Sequence, residues 1–299
     1  MSESRFTRSV NRRVAALFGA LIFLFLGVAV AFADSTRVKS ERVNRAAITA
    51  RGGAGNRTEL RASDTITYLT YFPLASRPYA CDPIPGESYG TVAIISAPTN
   101  PPAEIHPDIN LAMRGYVSTT GTLGLVTYTT PSDLGAPQLY TLFGDNRTPT
   151  FSAVYRVYDW DWVNNRRGAP IADPPVTLAG MVVAKNEIIR VPASEHDIGT
   201  RPTGYEVMVL YATNTRVTLK YTREDNVVSG YTIHIENICV EPNLLLLYQA
   251  MNAAGRARLP ALYAGQGIGR AITTEIGVAI RDTGSFMDPR SRTDWWQGK

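Results

Sequence analysis

The feature that most limits how this chain folds is a succession of short alternating or β-branched segments, separated by proline and glycine. Ten such segments read as strands: residues 65–71, 90–95, 121–129, 153–158, 176–183, 187–191, 206–211, 216–221, 231–236 and 275–281. Turn-forming clusters lie between them, as at Pro83-Ile84-Pro85-Gly86, 98–102 and 131–137. One stretch reads as a helix, 242–254, with Pro242 near its start, the leucine run Leu244 to Leu247 and Gly255 as a stop. The pattern predicts a mainly β protein, an antiparallel sheet or sandwich with one short helix. The chain has 299 residues, 44% of them hydrophobic, enough to bury a core without metal support.

The N-terminus is of a different kind. Arg12-Arg13 precede an uncharged apolar run over 14–33 that ends Ala31-Phe32-Ala33, before Asp34. A positive start, an apolar core and an A-x-A-like end make a signal peptide over 1–33, or an uncleaved signal anchor, since the run is long enough to span a bilayer as a helix. Either way the arginines stay inside and the rest is exported. Residues 34–63, with Gly52, Gly53 and Gly55, read as a flexible linker. A β-rich region follows over 64–150 and a C-terminal β domain over 151–299. The leader also explains the net charge of +4. Beyond residue 33 there remain 26 basic and 25 acidic residues, so nothing points to a nucleic-acid surface. Contact with a membrane is expected only through 14–33, if the leader is kept.

Export changes how Cys81 and Cys239 are read. In an oxidising compartment a lone pair of cysteines is more often a disulfide than a metal or catalytic site, with two separate buried thiols as the alternative. A bridge would close a long loop, worth on the order of 4–5 kcal/mol by the chain-entropy relation.

Few residues carry chemistry. The three histidines are His106, in Glu104-Ile105-His106-Pro107-Asp108, His196, in Glu195-His196-Asp197, and His234. A histidine beside a carboxylate is either a metal ligand with its orienting group or a surface hydrogen-bonded pair. No H-E-x-x-H, C-x-x-C, G-x-S-x-G or phosphate-loop pattern occurs, so neither a metal nor a cofactor is expected. Tyr158-Asp159-Trp160-Asp161-Trp162 places two carboxylates on one face of a strand and two indoles on the other, a pairing also found in sugar-cleaving sites. Trp295-Trp296 forms either an exposed binding patch or a closure of the domain against its own N-terminal strand.

From Arg216 onward the order of pieces resembles the lysostaphin-type zinc endopeptidases, which cut peptidoglycan cross-links. The resemblance rests on Gly230-Tyr231-Thr232-Ile233-His234-Ile235, on Gly265-Gln266-Gly267-Ile268-Gly269, and on Glu275-Ile276-Gly277-Val278-Ala279-Ile280-Arg281 followed by Gly284 and Asp288-Pro289. It implies a peptidase-like β sheet in the C-terminal half. The zinc pattern does not carry over. Glu275 and Gly277 stand at the family's His-x-His positions, Tyr155 stands where the upstream His-x-x-x-Asp ending at Asp159 needs histidine, and only His234 survives, at the place of a non-ligand histidine. The resemblance therefore implies a pseudo-enzyme.

Together these readings predict an exported, non-catalytic envelope or cell-surface protein that binds a cell-wall peptide or glycan. The expected groove contains His234, Glu275, Tyr231 and Asp159, with His234 and Glu275 as a charge-assisted pair on neighbouring strands. The competing expectation is an enzyme: a divergent zinc endopeptidase recruiting His106, His196 and His234, or a glycosidase built on Asp159 and Asp161.

Overall fold

A computed structural model describes residues 81–129, 131–199 and 204–299. The chain divides between Thr70 and Tyr71, and all of these residues belong to the second unit. The leader over 1–33, the linker over 34–63 and the strand expected at 65–71 lie outside the described residues.

The described residues are mainly β. In chain order they form β1 (Gly90–Ala93), α1 (Leu111–Arg114), β2 (Tyr116–Ser118), β3 (Phe151–Asp161), β4 (Arg166–Pro170), β5 (Leu178–Val182) and β6 (Ile188–Arg190). Then come β7 (Val207–Thr213), β8 (Arg216–Lys220), β9 (Tyr231–Glu236), β10 (Ile238–Val240), α2 (Pro242–Ala253), β11 (Arg258–Leu262), β12 (Gly267–Ala271), β13 (Glu275–Asp282), β14 (Ser285–Met287) and α3 (Arg292–Trp295). One antiparallel sheet runs β1-β11-β7-β8-β9-β13-β5-β3-β2, with β14 added to β13 and β4 to β3. A smaller sheet runs β10-β12-β6. The 64–150 and 151–299 regions share the large sheet, since β1 pairs with β11 and β2 with β3.

Period-two alternation gives the central strands two unlike faces. Val217 and Leu219 of β8, Ile233 and Ile235 of β9, and Ile276, Val278 and Ile280 of β13 join the main core. The opposite face carries Arg216, Thr218 and Lys220, then Thr232, His234 and Glu236, then Gly277, Ala279 and Arg281, set side by side by the register. That second face is also buried. The segment through α1 crosses it, with Thr218 Oγ1 donating to the Ile109 carbonyl at 2.8 Å, and Leu111 and Phe286 pack there with Val157, Leu178 and Ala279.

Helix α2 forms where the sequence places it. Pro242 takes a first-turn position, the Glu241 side chain caps the Leu244 N–H at 2.8 Å, and Gly255 beyond its end has φ +89°. The strand expected over 121–129 does not form. Val126 alone makes a bridge, to Ser291, and Leu123 is left exposed. Gly121 and Gly124 bring no side chain to bury, so the Thr/Leu/Val alternation has no continuous face with which to join a sheet. The disulfide is present: Cys81 and Cys239 are bridged, with Cα atoms 5.9 Å apart, tying the chain near residue 81 to β10. Gly269, last residue of the Gly-Gln-x-Ile-Gly run, sits where an added Cβ would lie 2.5 Å from the Cys239 carbonyl oxygen. Close packing of β12 on the bridged strand accounts for that glycine.

Among the described residues no helix is long and apolar enough to cross a membrane.

Candidate functional site

The three histidines occupy three separate environments. His234 is buried in β9, and burial together with Arg281 pushes its pKa down to about 3, so it is neutral. Its Nδ1 faces Thr218 Oγ1 at 3.1 Å, its ring stacks on Phe286, and its Nε2 has no hydrogen-bond partner. His106 Nδ1 accepts from the Asp108 N–H at 3.1 Å, and its ring meets Trp162 edge-on with centroids 5.7 Å apart. His196 lies at the surface, Nε2 3.3 Å from Asp133 Oδ2. Among the described residues no group of three or more His, Cys, Asp or Glu side chains is placed to hold a metal ion.

The four residues expected to share a groove do not form one. His234 and Glu275 do project from the same face, because His234 pairs with Ala279 across the ladder and Glu275 lies four residues before it on β13. The charge-assisted pair between them is absent. Glu275 is hydrogen-bonded by Ser152 and by Tyr155 at 3.5 Å, across Gly180, where an added Cβ would lie 2.8 Å from the Glu275 carboxylate. His234 is neutral and enclosed, so it brings no positive charge to a pair with a carboxylate. Tyr231 belongs to a third place, its hydroxyl donating to Asp133 at 3.0 Å beside His196.

Asp159 leads to a more organised centre, built around Asp108. Its carboxylate is held by Arg114 at 2.6 Å and Arg281 at 2.9 Å, two arginines whose side chains are 4% and 5% exposed. Burial alone would raise the Asp108 carboxyl, but the two guanidinium groups outweigh it and hold its pKa below the ordinary carboxylate range. The arginines are fixed in turn. Arg114 donates to the carbonyls of Pro107 and Tyr158, both at 3.1 Å, and Arg281 to that of Gly284 at 2.8 Å. The Arg281 guanidinium lies over the Phe286 ring, 4.5 Å from its centroid.

Above this network opens a cleft of about 340 Å³, lined among others by Asp108, Arg114, Asp159, Trp162, Asp173 and Arg281. Asp159 touches Arg114 at 3.3 Å and keeps 69% of its side chain exposed, while Trp162 on the rim is 53% exposed. The expected sharing of faces by two carboxylates and two indoles breaks here. A register shift between Tyr158 and Trp160 bends β3, and the strand ends at Asp161. Asp161 turns to Asn164 and Arg166, Trp160 is buried, and Trp162 stands clear beyond the strand end. Asp159 and Asp161 therefore serve different partners.

Trp295 and Trp296 are buried and make no surface patch. Their indole N–H groups donate to the carbonyls of Asp288 and Pro289, and their rings meet Tyr231 of β9 and Phe151 of β3 edge-on.

Arg114 and Arg281 escaped the sequence reading, although one signal was there. In the otherwise apolar run from Ile276 to Ile280, Arg281 falls in phase with Gly277 and Ala279, on the face the core does not claim. Compared with protein families, curated proteins and solved structures, the chain matches none.

Proposed function

We propose that the chain is an exported envelope protein whose β domain binds a polar cell-wall polymer, peptide or glycan, without cutting it. The observation that carries this reading is the open cleft in which exposed Trp162 and the Asp159 carboxylate stand above a floor of locked ion pairs. Ligand sites are concave and join aromatic surface to a few fixed polar groups, and this cleft offers Trp162 beside held carboxylates and guanidinium groups. The floor is poorly suited to proton transfer. Asp108 is held ionised between two arginines, so it is a weak acid catalyst and a weak base at neutral pH.

Two further features support the reading. The disulfide is compatible with an exported protein, as the leader predicts. The peptidase-like pattern departs at the residues that would hold zinc, and Glu275 at one of those positions is already engaged by Ser152 and Tyr155. We read the domain as a relict peptidase sheet that has kept a cleft and lost its metal ligands.

The test is co-sedimentation of the exported protein with purified cell-wall material, comparing wild type with Trp162→Ala and Asp159→Asn. Saturable pelleting of the wild type, weakened in both variants, supports the cleft. Pelleting that is equal in all three proteins places binding elsewhere and removes it.

A further inference from the structure

The cleft below Trp162 is bordered by Asp173. That residue also walls a second cleft of about 330 Å³, lined by Tyr128, Asp288 and Asp294 among others. Strand β14 runs beside both: Ser285 and Phe286 line the first cleft, and Met287 with the following Asp288 lines the second. Asp173 and β14 thus border both clefts.

The β14 border is a strand edge. Among the described residues β14 pairs with β13 alone. Thr283 and Gly284 join the two strands with φ of +44° and +90°, the positive values of a type I′ hairpin turn. In such a turn the flanking pair, Asp282 and Ser285, exchanges the hydrogen bonds, so the next pair, Arg281 and Phe286, does not. The Phe286 N–H and C=O accordingly point away from β13, toward the outer side of β14. A donor and an acceptor presented together on a strand edge suit the backbone of an extended peptide, which adds to the sheet as one more strand.

The charges say which peptide. Five aspartates line the two clefts, Asp108, Asp159, Asp173, Asp288 and Asp294, against Arg114 and Arg281 in the first and Arg290 paired with Asp288 of the second, a formal excess of two negative charges. The arginines are committed. Arg114 and Arg281 grip Asp108, and Arg290 holds Asp288 at 2.9 and 2.7 Å. No cationic side chain among the described residues pairs with Asp173 or Asp294, and Asp159 has the single long contact already described. Tyr128 feels the same field: burial and Asp288, to which its hydroxyl donates at 2.9 Å, push its pKa up to about 12. Trp162 offers an exposed indole face to a cation.

We propose that an extended basic peptide segment pairs with the edge of β14 and spans the two clefts that border it. Its lysine or arginine side chains reach Asp159, Asp173 and Asp294, and one of them lies over Trp162. The inference rests on the cleft being a binding site and narrows its ligand from any polar polymer to a cationic peptide.

The experiment titrates the full exported protein with a decapeptide of alternating lysine and threonine. Three comparisons accompany it: the same peptide with every lysine acetylated, the same peptide N-methylated on alternate residues, and an uncharged chitin hexamer. The cationic peptide is expected to bind, more weakly as salt rises to physiological strength. Acetylation and N-methylation should each weaken it on the order of tenfold, the first by removing charge and the second by removing edge pairing. Asp173→Asn and Asp294→Asn should each weaken it about two- to fivefold, as expected for exposed ion pairs, with unchanged thermal unfolding. If the chitin hexamer or the acetylated peptide binds at least as tightly as the cationic one, the basic-peptide inference falls while the cleft reading stands. If the N-methylated peptide binds as tightly as its parent, strand addition is overturned. If none of the four binds and wall material does not pellet the protein, both readings fall.

Discussion

Replacing Asp108 by asparagine keeps the shape of the side chain and removes its charge, which leaves two buried arginines unbalanced. Arg281 has no other carboxylate in contact among the described residues, and Arg114 keeps only Asp159 at 3.3 Å. Removing one partner of a buried ion pair costs about 3–5 kcal/mol, because the remaining charge stays out of water uncompensated. That is a large part of the 5–15 kcal/mol that typically separates folded from unfolded domains. For a folded unit of this size each kcal/mol moves the unfolding midpoint by roughly 2–4 °C, so the drop should be about 6–20 °C. Thermal and urea unfolding followed by circular dichroism, with the disulfide intact, measures it. A second variant separates charge from packing: Asp108→Asn combined with Arg281→Met removes the stranded cation and should recover at least half of the loss. The sign with pH follows from the depressed carboxyl. Its folded pKa lies below its unfolded value, so its stabilisation is present above about pH 4 and is lost as pH falls through the folded pKa. A single variant that unfolds within about 2 °C of wild type, well under the expected drop, would refute the reasoning.

Three other outcomes follow from the same geometry. His234 is held neutral while the unfolded chain protonates it near 6.5, so the unfolded state binds more protons and stability falls below that pH, by up to about 1.4 kcal/mol per unit. Urea unfolding of His234→Gln between about pH 7 and 5 should show a shallower slope than wild type, and an equal slope contradicts the neutral assignment. Opening the bridge with Cys81→Ser and Cys239→Ser should cost on the order of 2–5 kcal/mol in denaturant unfolding; a loss below about 1 kcal/mol would show that the tie to β10 contributes little. Asp225 is wholly buried against Arg256, whose guanidinium it meets at 2.6 and 2.7 Å, so Asp225→Ala should destabilise by about 3–5 kcal/mol while leaving wall binding of the folded fraction unchanged.

Much of the sheet was legible because alternation and burial agree in it. Eight of the strands, among them β8, β9 and β13, show in the sequence as β-branched alternations, and α2 is bounded by Pro242 and Gly255 as the rules of helix ends require. The six strands that were missed have physical reasons. β2, β10 and β14 are three residues long, too short to show a period. β4 carries Gly168 and Pro170, β11 contains Pro260, and β12 carries Gly267 and Gly269, residues that ordinarily argue against a strand. The cleft was harder still. Asp108 and Arg114 are near in sequence, but Arg281 is distant from both and meets them only because the segment through α1 crosses the polar face of the sheet. Chain order does not state such a crossing. His234 and Glu275 drew attention through a family pattern, and each has instead been drawn into local partners, Thr218 for one and Ser152 for the other.

Under the proposed function this domain holds a cell-wall polymer and leaves it intact. The most direct measurement incubates the protein with purified wall material, then assays the pellet for protein and the supernatant for newly exposed amino groups and reducing ends. Saturable pelleting of the protein is expected, with no new ends above the level of wall material alone. Soluble fragments accumulating with time, or protein that stays in the supernatant, would contradict it.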